Sequence, residues 1–322
     1  MYRLARYAIL VVLLTGALLL PASATVGVAQ EPETPDVEAE AASPLDACRR
    51  GAWSSEEDFM MMKGTPVDGN PYISDGDLLS FAGHVCMRNS ALVAPFFTGA
   101  VAPDMGLDAV DILDFAQRVV AFSTELDHPQ GRFTAGDLLS SLGAVIPNVA
   151  LTAPFRFGRD VGLDGLQFLG DTRSAINLLT EARNIGRDGY LRNPDQLLAQ
   201  LRQWNVDIWF SIEGTHRGAD GRLFLDGDIL SARGTVVATN ANLLPNSVPA
   251  GIPQRGVDFG ADAIATGRSM NLEESLAKLR FSTEILFHGE PAFTDGDILA
   301  YGDGIVKKNE ELVRPFEPAA DF

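Results

Sequence analysis

Cysteine, histidine, basic charge and long apolar runs are all scarce in this 322-residue chain. Two cysteines, Cys48 and Cys86, make no zinc site by themselves, and their spacing excludes a redox CxxC pair. Past Leu20 no stretch approaches 18 apolar residues, so an ordinary membrane-spanning helix is excluded from the rest of the chain. Lys and Arg number 25 against 43 Asp and Glu, a formal charge of −18. That balance repels phosphate backbones and anionic membranes, which argues against nucleic acid as a partner. There is no GxSxG, no P-loop, and no GxGxxG between a strand and a helix, so these nucleophile and nucleotide motifs are absent. Carboxylates are too numerous for any pair to be singled out for glycoside cleavage.

The first 29 residues read as an export leader. Arg3 and Arg6 precede an apolar run from Ala8 to Leu20, Pro21 ends it, and Ala22-Ser23-Ala24 offers small residues for cleavage, with Gly27-Val28-Ala29 a second candidate. An uncleaved N-terminal anchor is the alternative. Removing the two arginines takes the net charge to about −20. Residues 30–43 are acidic and rich in Pro and Ala, a composition that cannot bury enough apolar surface to order itself. A single folded domain is expected over 44–322. In the oxidising compartment this implies, Cys48 and Cys86 are expected to form a disulfide stapling the most N-terminal strand to a later strand of its own unit.

What the chain has in abundance is internal repetition. Gly76-Asp77, Gly136-Asp137, Gly227-Asp228 and Gly296-Asp297 each open an apolar run, and each Asp is followed 11 or 12 residues later by Asn89, Asn148, Asn240 or Asn309. A fixed period of this kind means one supersecondary unit stacked on copies of itself. Upstream, Asp104-Met-Gly-Leu-Asp108, Asp160-Val-Gly-Leu-Asp164 and Asp258-Phe-Gly-Ala-Asp262 share the pattern D-x-G-x-D, with only Leu45-Asp46-Ala47 in the first unit. Phe122-Ser-Thr-Glu125, Phe210-Ser-Ile-Glu213 and Phe281-Ser-Thr-Glu284 form a second recurring phrase. The first unit has Phe59-Met-Met-Met62 in that slot and lacks the Glu.

Short β-branched and aromatic runs separated by Gly, Asp, Asn and Pro predict strands and turns, about four strands per unit. The expected fold is all-β, a four-repeat β-propeller-like ring with units at about 44–97, 104–157, 160–248 and 256–322. A helical insertion of about 30 residues, roughly 170–204, falls in the third unit and gathers Arg173, Arg183, Arg187, Arg192 and Arg202. The chain ends on Asp321-Phe322, the opening of the phrase whose other half is Leu45-Asp46-Ala47, which suggests that the two ends close the ring.

Phe157-Gly-Arg-Asp-Val-Gly-Leu163, Gly106-Leu-Asp-Ala-Val110, and Phe281-Ser-Thr-Glu284 with Phe293-Thr-Asp-Gly-Asp-Ile298 resemble a repeat of exported bacterial proteins. That repeat cycles as DVGL…DVDAL…LxFS…DxDI. The resemblance implies export and β-rich repeats and brings no catalytic residues with it. Four-bladed hemopexin-like domains are similar in architecture only.

Two sets of residues could hold a metal. Glu125 with His128, Glu213 with His216, and Glu284 with His288 place an imidazole three or four residues after each phrase glutamate. In a ring they would emerge at one mouth, a donor set that suits zinc, iron, copper or manganese. Asp46, Asp108, Asp164 and Asp262 would instead ring the channel from the innermost strands. Four such carboxylates repel one another unless they hold a cation, are protonated, or bond backbone N–H groups. The Gly-Asp turns are explained by backbone preference, Gly for positive φ and Asp for bonding its own backbone, and Met60-Met61-Met62 by a buried strand rather than copper.

The expected protein is a secreted or extracytoplasmic, non-enzymatic binding or scaffolding module for a protein or carbohydrate ligand, with no membrane insertion after leader cleavage. A calcium or transition-metal ion is the candidate cofactor. The alternatives are an ion-stabilised structural propeller and a metal-dependent hydrolase or oxidase using the Glu/His loops.

Overall fold

The computed structural model describes residues 9–12, 44–49, 51–62, 66, 68–99 and 101–318. Its framework is four antiparallel four-stranded sheets, each a meander in chain order. The first holds Ile9–Val12, Ala52–Ser55, Leu78–Ser80 and Val85–Met87, and the second Val110–Asp114, Val119–Phe122, Leu138–Ser140 and Val145–Ile146. The third holds Leu166–Leu169, Asp207–Phe210, Ile229–Ser231 and Thr235–Ala238, and the fourth Ile264–Ala265, Arg280–Phe281, Ile298–Ala300 and Ile305–Lys307. First strands lie beside first strands: Ile9–Val12 and Leu166–Leu169 are each next to both Val110–Asp114 and Ile264–Ala265.

Central strands are mostly apolar because both of their faces are covered. Val119–Phe122 and Asp207–Phe210 are buried throughout. Burial of such runs, at about 25 cal/mol per Å² of apolar surface, is the main driving force for the assembly. Three short 3₁₀ turns, Ala94–Phe96, Ala153–Phe155 and Arg314–Phe316, each carry a proline in the first turn and bury the following phenylalanine. Their prolines sit against a hairpin glycine of another sheet: Pro95 on Gly143, Pro154 on Gly234 and Pro315 on Gly83. At the remaining junction the Gly302 N–H donates to Leu243 O at 2.7 Å.

Helix accounts for 25% of the structure, so the all-β expectation holds only loosely. One source is the stretch after Leu166–Leu169, where Thr172–Arg192 and Gln196–Gln203 bury Leu178, Leu179, Leu197 and Leu201. Asp171 caps the first of these, accepting from Ser174 N–H. The other source lies at the recurring asparagines. Asn89, Asn148, Asn240 and Asn309 each begin a short helix where the sequence suggests only the end of a strand run.

The Gly-Asp and Asn positions have a common explanation. Asp77, Asp137, Asp228 and Asp297 each accept, through Oδ1, the backbone N–H of the Asn 11 or 12 residues on, at 2.8–3.0 Å. Their other oxygen accepts a backbone N–H three residues back, from Ser74, Thr134, Leu225 or Thr294. One carboxylate thus closes the turn and caps the helix. The expected role of the glycine needs correction: Gly76, Gly136 and Gly227 do not adopt positive φ. A Cβ there would fall 2.1 Å from Asn89 Nδ2, 2.2 Å from Asp160 Oδ1 and 1.7 Å from Asn240 Nδ2, so space, and not backbone freedom, requires glycine.

Register corrects the reading of the first unit. Phe122 pairs with Leu139, Phe210 with Leu230 and Phe281 with Leu299. In the first sheet the residue paired in this way, with Leu79, is Trp53. Trp53-Ser-Ser-Glu56 therefore fills the slot assigned to Phe59-Met-Met-Met62, and the glutamate is present. Phe59–Met60 forms a separate two-stranded ribbon with Tyr72–Ile73, leaving Met60 and Met62 exposed.

Leu45-Asp46-Ala47 lies in a helix, Pro44–Arg49, and not on an innermost strand. The first strand of the first sheet is Ile9–Val12, from within the expected leader. Its β-branched run suits a strand beside the buried Ala52–Ser55. The expected linker and the terminal Asp321-Phe322 lie outside the described residues.

Cys48 and Cys86 form a disulfide, which joins that helix to strand Val85–Met87 instead of joining two strands. With the cysteines 38 positions apart in sequence, loop entropy gives the cross-link about 4 kcal/mol. Replacing both cysteines with serine is expected to lower the unfolding free energy by about that amount and to steepen the urea transition, because the unfolded chain without its cross-link exposes more surface.

Candidate functional site

The D-x-G-x-D phrases and the phrase glutamates meet in one place because of a steric fit. Gly106, Gly162 and Gly260 adopt φ of +68°, +76° and +66°. A Cβ on each would lie 2.8 Å from Glu125, 2.4 Å from Glu213 and 2.7 Å from Glu284. Each glutamate side chain crosses over the glycine of its own unit; Glu213 thereby meets Asp164 of its own phrase and Asp108 of the preceding one, and Glu284 meets Asp164 of the preceding phrase.

Two groups of carboxylates result. Oxygens of Asp108, Asp164 and Glu213 all lie within 4.8 Å of one another, and so do oxygens of Asp164, Asp226 and Glu284. Asp164 belongs to both. It is 4% exposed, and its Oδ2 has no hydrogen-bond partner. Asp226 Oδ1, in the second group, is likewise buried and unpartnered. Asp262 lies close by, buried, and accepts from Ser282 Oγ at 2.7 Å.

The electrostatics are those of crowded acids, buried at Asp164, half-buried at Asp108, Asp226 and Glu284, and exposed at Glu213. Burial raises the Asp164 carboxyl well above its ordinary value, and Asp108 and Asp226 add repulsion. Asp108 is raised in the same way by burial and then by Glu213 and Asp262. Asp226 is pushed up to about 8 by burial, followed by Glu284 and Asp258. Glu125 rises to about 7 through burial and the charges of Asp75, Asp104, Asp58 and Asp262. Asp75 rises to about 6, again through burial first and then Asp104 and Asp58. Glu213 is raised mainly by burial and then by Asp160, with His216 opposing.

The histidines stand apart from these groups. His128 is buried; its Nδ1 accepts from Gln130 N–H at 3.0 Å, so Nε2 carries the proton donated to Phe96 O at 3.2 Å. Its ring stacks on Phe97. His216 Nδ1 accepts from Arg159 Nη2 at 2.8 Å, and Nε2–H donates to Glu213 O at 2.8 Å. Both nitrogens of both rings are thus engaged in tying loops. His288 is exposed on a cavity with Phe293, Asp295 and Asn309. Among the described residues no histidine joins either carboxylate group, and the Asp46 side chain lies outside the described residues.

Asp226 and Glu56 were not singled out by the sequence. Asp226 is the first Asp of an Asp-Gly-Asp turn, a position the second unit fills with Ala135. That variation was the available signal: the second Asp of each turn is fixed by the backbone, whereas the first is free to serve the cluster. Glu56 contributes to the repulsion on Asp108. Compared with family models, curated proteins and solved structures, the chain matches none.

Proposed function

We propose that the chain is an exported, non-enzymatic binding or scaffolding module, built as a four-bladed propeller-like ring whose central carboxylates hold a hard cation, with calcium the best fit. The observation that carries the cation is Asp164, buried, common to both groups and with an unpartnered oxygen. An isolated buried carboxylate is costly, and a cation among several of them removes both the desolvation and the repulsion. Oxygen-only donors favour calcium over zinc or copper, which prefer imidazole and thiolate. Support for the ring comes from the order of first-strand neighbours and from the contacts that join each sheet to the next.

Export is supported by the leader-like N-terminus, read as an uncleaved anchor because Ile9–Val12 pairs with Ala52–Ser55, and by the resemblance to exported bacterial repeat proteins, and the disulfide is compatible with it. Among the described residues no helix is long and apolar enough to cross a membrane.

Calcium titrated into EDTA-stripped protein is expected to give saturable heat. At a hundredfold excess over Kd it should raise the Tm by roughly 5–10 °C. Asp164→Asn should abolish both effects. Absence of calcium heat and of a Tm shift in the wild-type protein sinks the proposal. Tighter binding of zinc, lost on His216→Ala, would favour the Glu/His alternative instead.

A further inference from the structure

The serine of the Phe-Ser-x-Glu phrase bonds its surroundings in two units and not in the third. Ser282 Oγ donates to the Asp262 carboxylate at 2.7 Å. Ser123 Oγ accepts from Ala109 N–H and donates to Leu163 O, both at 2.8 Å. The matching residue of the third unit is Ser211, and its Oγ is buried without a partner. Asp164, the counterpart of Asp262, is left unpartnered at Oδ2 in the same way. A pair that is bonded in the fourth unit is therefore open in the third, and the Asp164 carboxylate, 4% exposed, is given over to the acidic groups on either hand.

Those groups have the dimensions of two ion sites. Calcium–oxygen bonds of about 2.3–2.6 Å put two ligands of one ion at most about 5 Å apart. Oxygens of Asp108, Asp164 and Glu213 meet that limit, as do those of Asp164, Asp226 and Glu284, but the five residues do not form one group within it. A single ion cannot take all of them. Charge points the same way. Five ionised carboxylates around one divalent cation leave three charges unpaired next to buried Asp164, and a second cation leaves one.

We propose that the cluster holds two divalent cations with Asp164 as the ligand they share. Asp108 and Glu213 complete the first site, and Asp226 and Glu284 the second. This rests on the calcium reading above and adds a second ion to it. Two-metal sites hold their ions about 3.5–4 Å apart, a separation that the two oxygens of one carboxylate bridge. Asp108 precedes the first strand of the second sheet, Asp164, Glu213 and Asp226 flank strands of the third, and Glu284 follows a strand of the fourth. The first ion therefore joins the second sheet to the third, and the second ion joins the third to the fourth.

The test is the calcium stoichiometry of the EDTA-stripped full chain, measured by equilibrium dialysis. Two ions per chain are expected. Glu213→Gln should weaken one of them by at least about tenfold and Asp226→Asn the other, since losing a ligand costs no less than losing an outer-shell partner. Asp164→Asn should weaken both. Each amide relieves repulsion among the acids, so these variants should melt no lower than the parent in EDTA. A second measurement needs no variant: terbium emission from the parent chain should shorten in lifetime when neodymium is loaded beside it. One calcium per chain, or a terbium lifetime that neodymium leaves unchanged, overturns the second site and leaves the calcium reading standing. Two ions that neither Glu213→Gln nor Asp226→Asn weakens lie elsewhere and overturn the assignment. No bound calcium at all sinks the calcium reading and the second site with it.

Discussion

In EDTA the protein is expected to become less stable as pH rises from about 5 to about 8, and calcium is expected to abolish or reverse that slope. The carboxyl of Asp226 titrates near 8 in the folded state, raised by burial, Glu284 and Asp258. In the unfolded chain an Asp titrates near about 4. Between those values the folded protein binds more protons than the unfolded one, so stability is fully present below the unfolded pKa and is lost as pH climbs toward the folded pKa. Asp164 and Asp108 are shifted in the same direction, also by burial first. For Asp226 alone the shift corresponds to about 5 kcal/mol at its upper bound, at 1.36 kcal/mol per unit. Asp68 works the other way: its hydrogen bond with Arg88 lowers its pKa, so its contribution is lost only in acid, below this window. The cation proposed for this cluster would take the place of the protons, with an affinity that rises with pH because the ligands must be ionised. Thermal unfolding followed by circular dichroism at pH 5, 6.5 and 8, with EDTA and with calcium, reads both slopes. A flat or rising Tm in EDTA over that window would falsify the buried-acid account. A falling Tm in EDTA that calcium leaves unchanged would reject the cation alone.

The parts of this structure that sequence revealed are those in which one residue type has one job. The Asp-to-Asn spacing was visible because a single carboxylate closes a turn and caps a helix, which fixes the distance along the chain. Asp108 and Asp164 were visible because the intervening glycine must make room for a crossing glutamate. The first unit was misread for a physical reason as well. Trp53 replaces phenylalanine at the paired position, and a tryptophan fills a buried aromatic site without preserving the sequence phrase. The Glu-to-His spacing was real, but spacing cannot show that a ring nitrogen is already committed, as His128 is to Gln130 and Phe96. The grouping of Asp226 with Glu284 and Asp164 depends on how adjacent units approach, a tertiary fact that no local pattern encodes.

The largest single-site loss is expected away from the carboxylate cluster, at Arg268. Its guanidinium holds Asp111 bidentately, Nη2 to Oδ1 at 2.6 Å and Nη1 to Oδ2 at 2.8 Å. Asp111 is fully buried and also accepts from Phe168 N–H at 2.8 Å and Gln167 Nε2 at 3.0 Å. Gln167 in turn accepts from Thr266 N–H at 2.8 Å, and Arg268 donates to Ile112 O and Phe168 O. One ion pair therefore ties the first strands of the second and third sheets to the segment that follows the first strand of the fourth. Arg268→Ala leaves a buried carboxylate without its counter-charge, at a cost of about 3–5 kcal/mol. That is a Tm loss of roughly 6–15 °C in a chain of this size. The cost is mainly that of an orphaned charge, so removing both charges should recover much of it. The double variant Asp111→Leu/Arg268→Met is accordingly expected to be more stable than Arg268→Ala, though short of the parent because the Phe168 and Gln167 donors lose their acceptor. A loss below about 1 kcal/mol for Arg268→Ala in urea unfolding would show that water reaches Asp111 and that the clasp does not hold the sheets together.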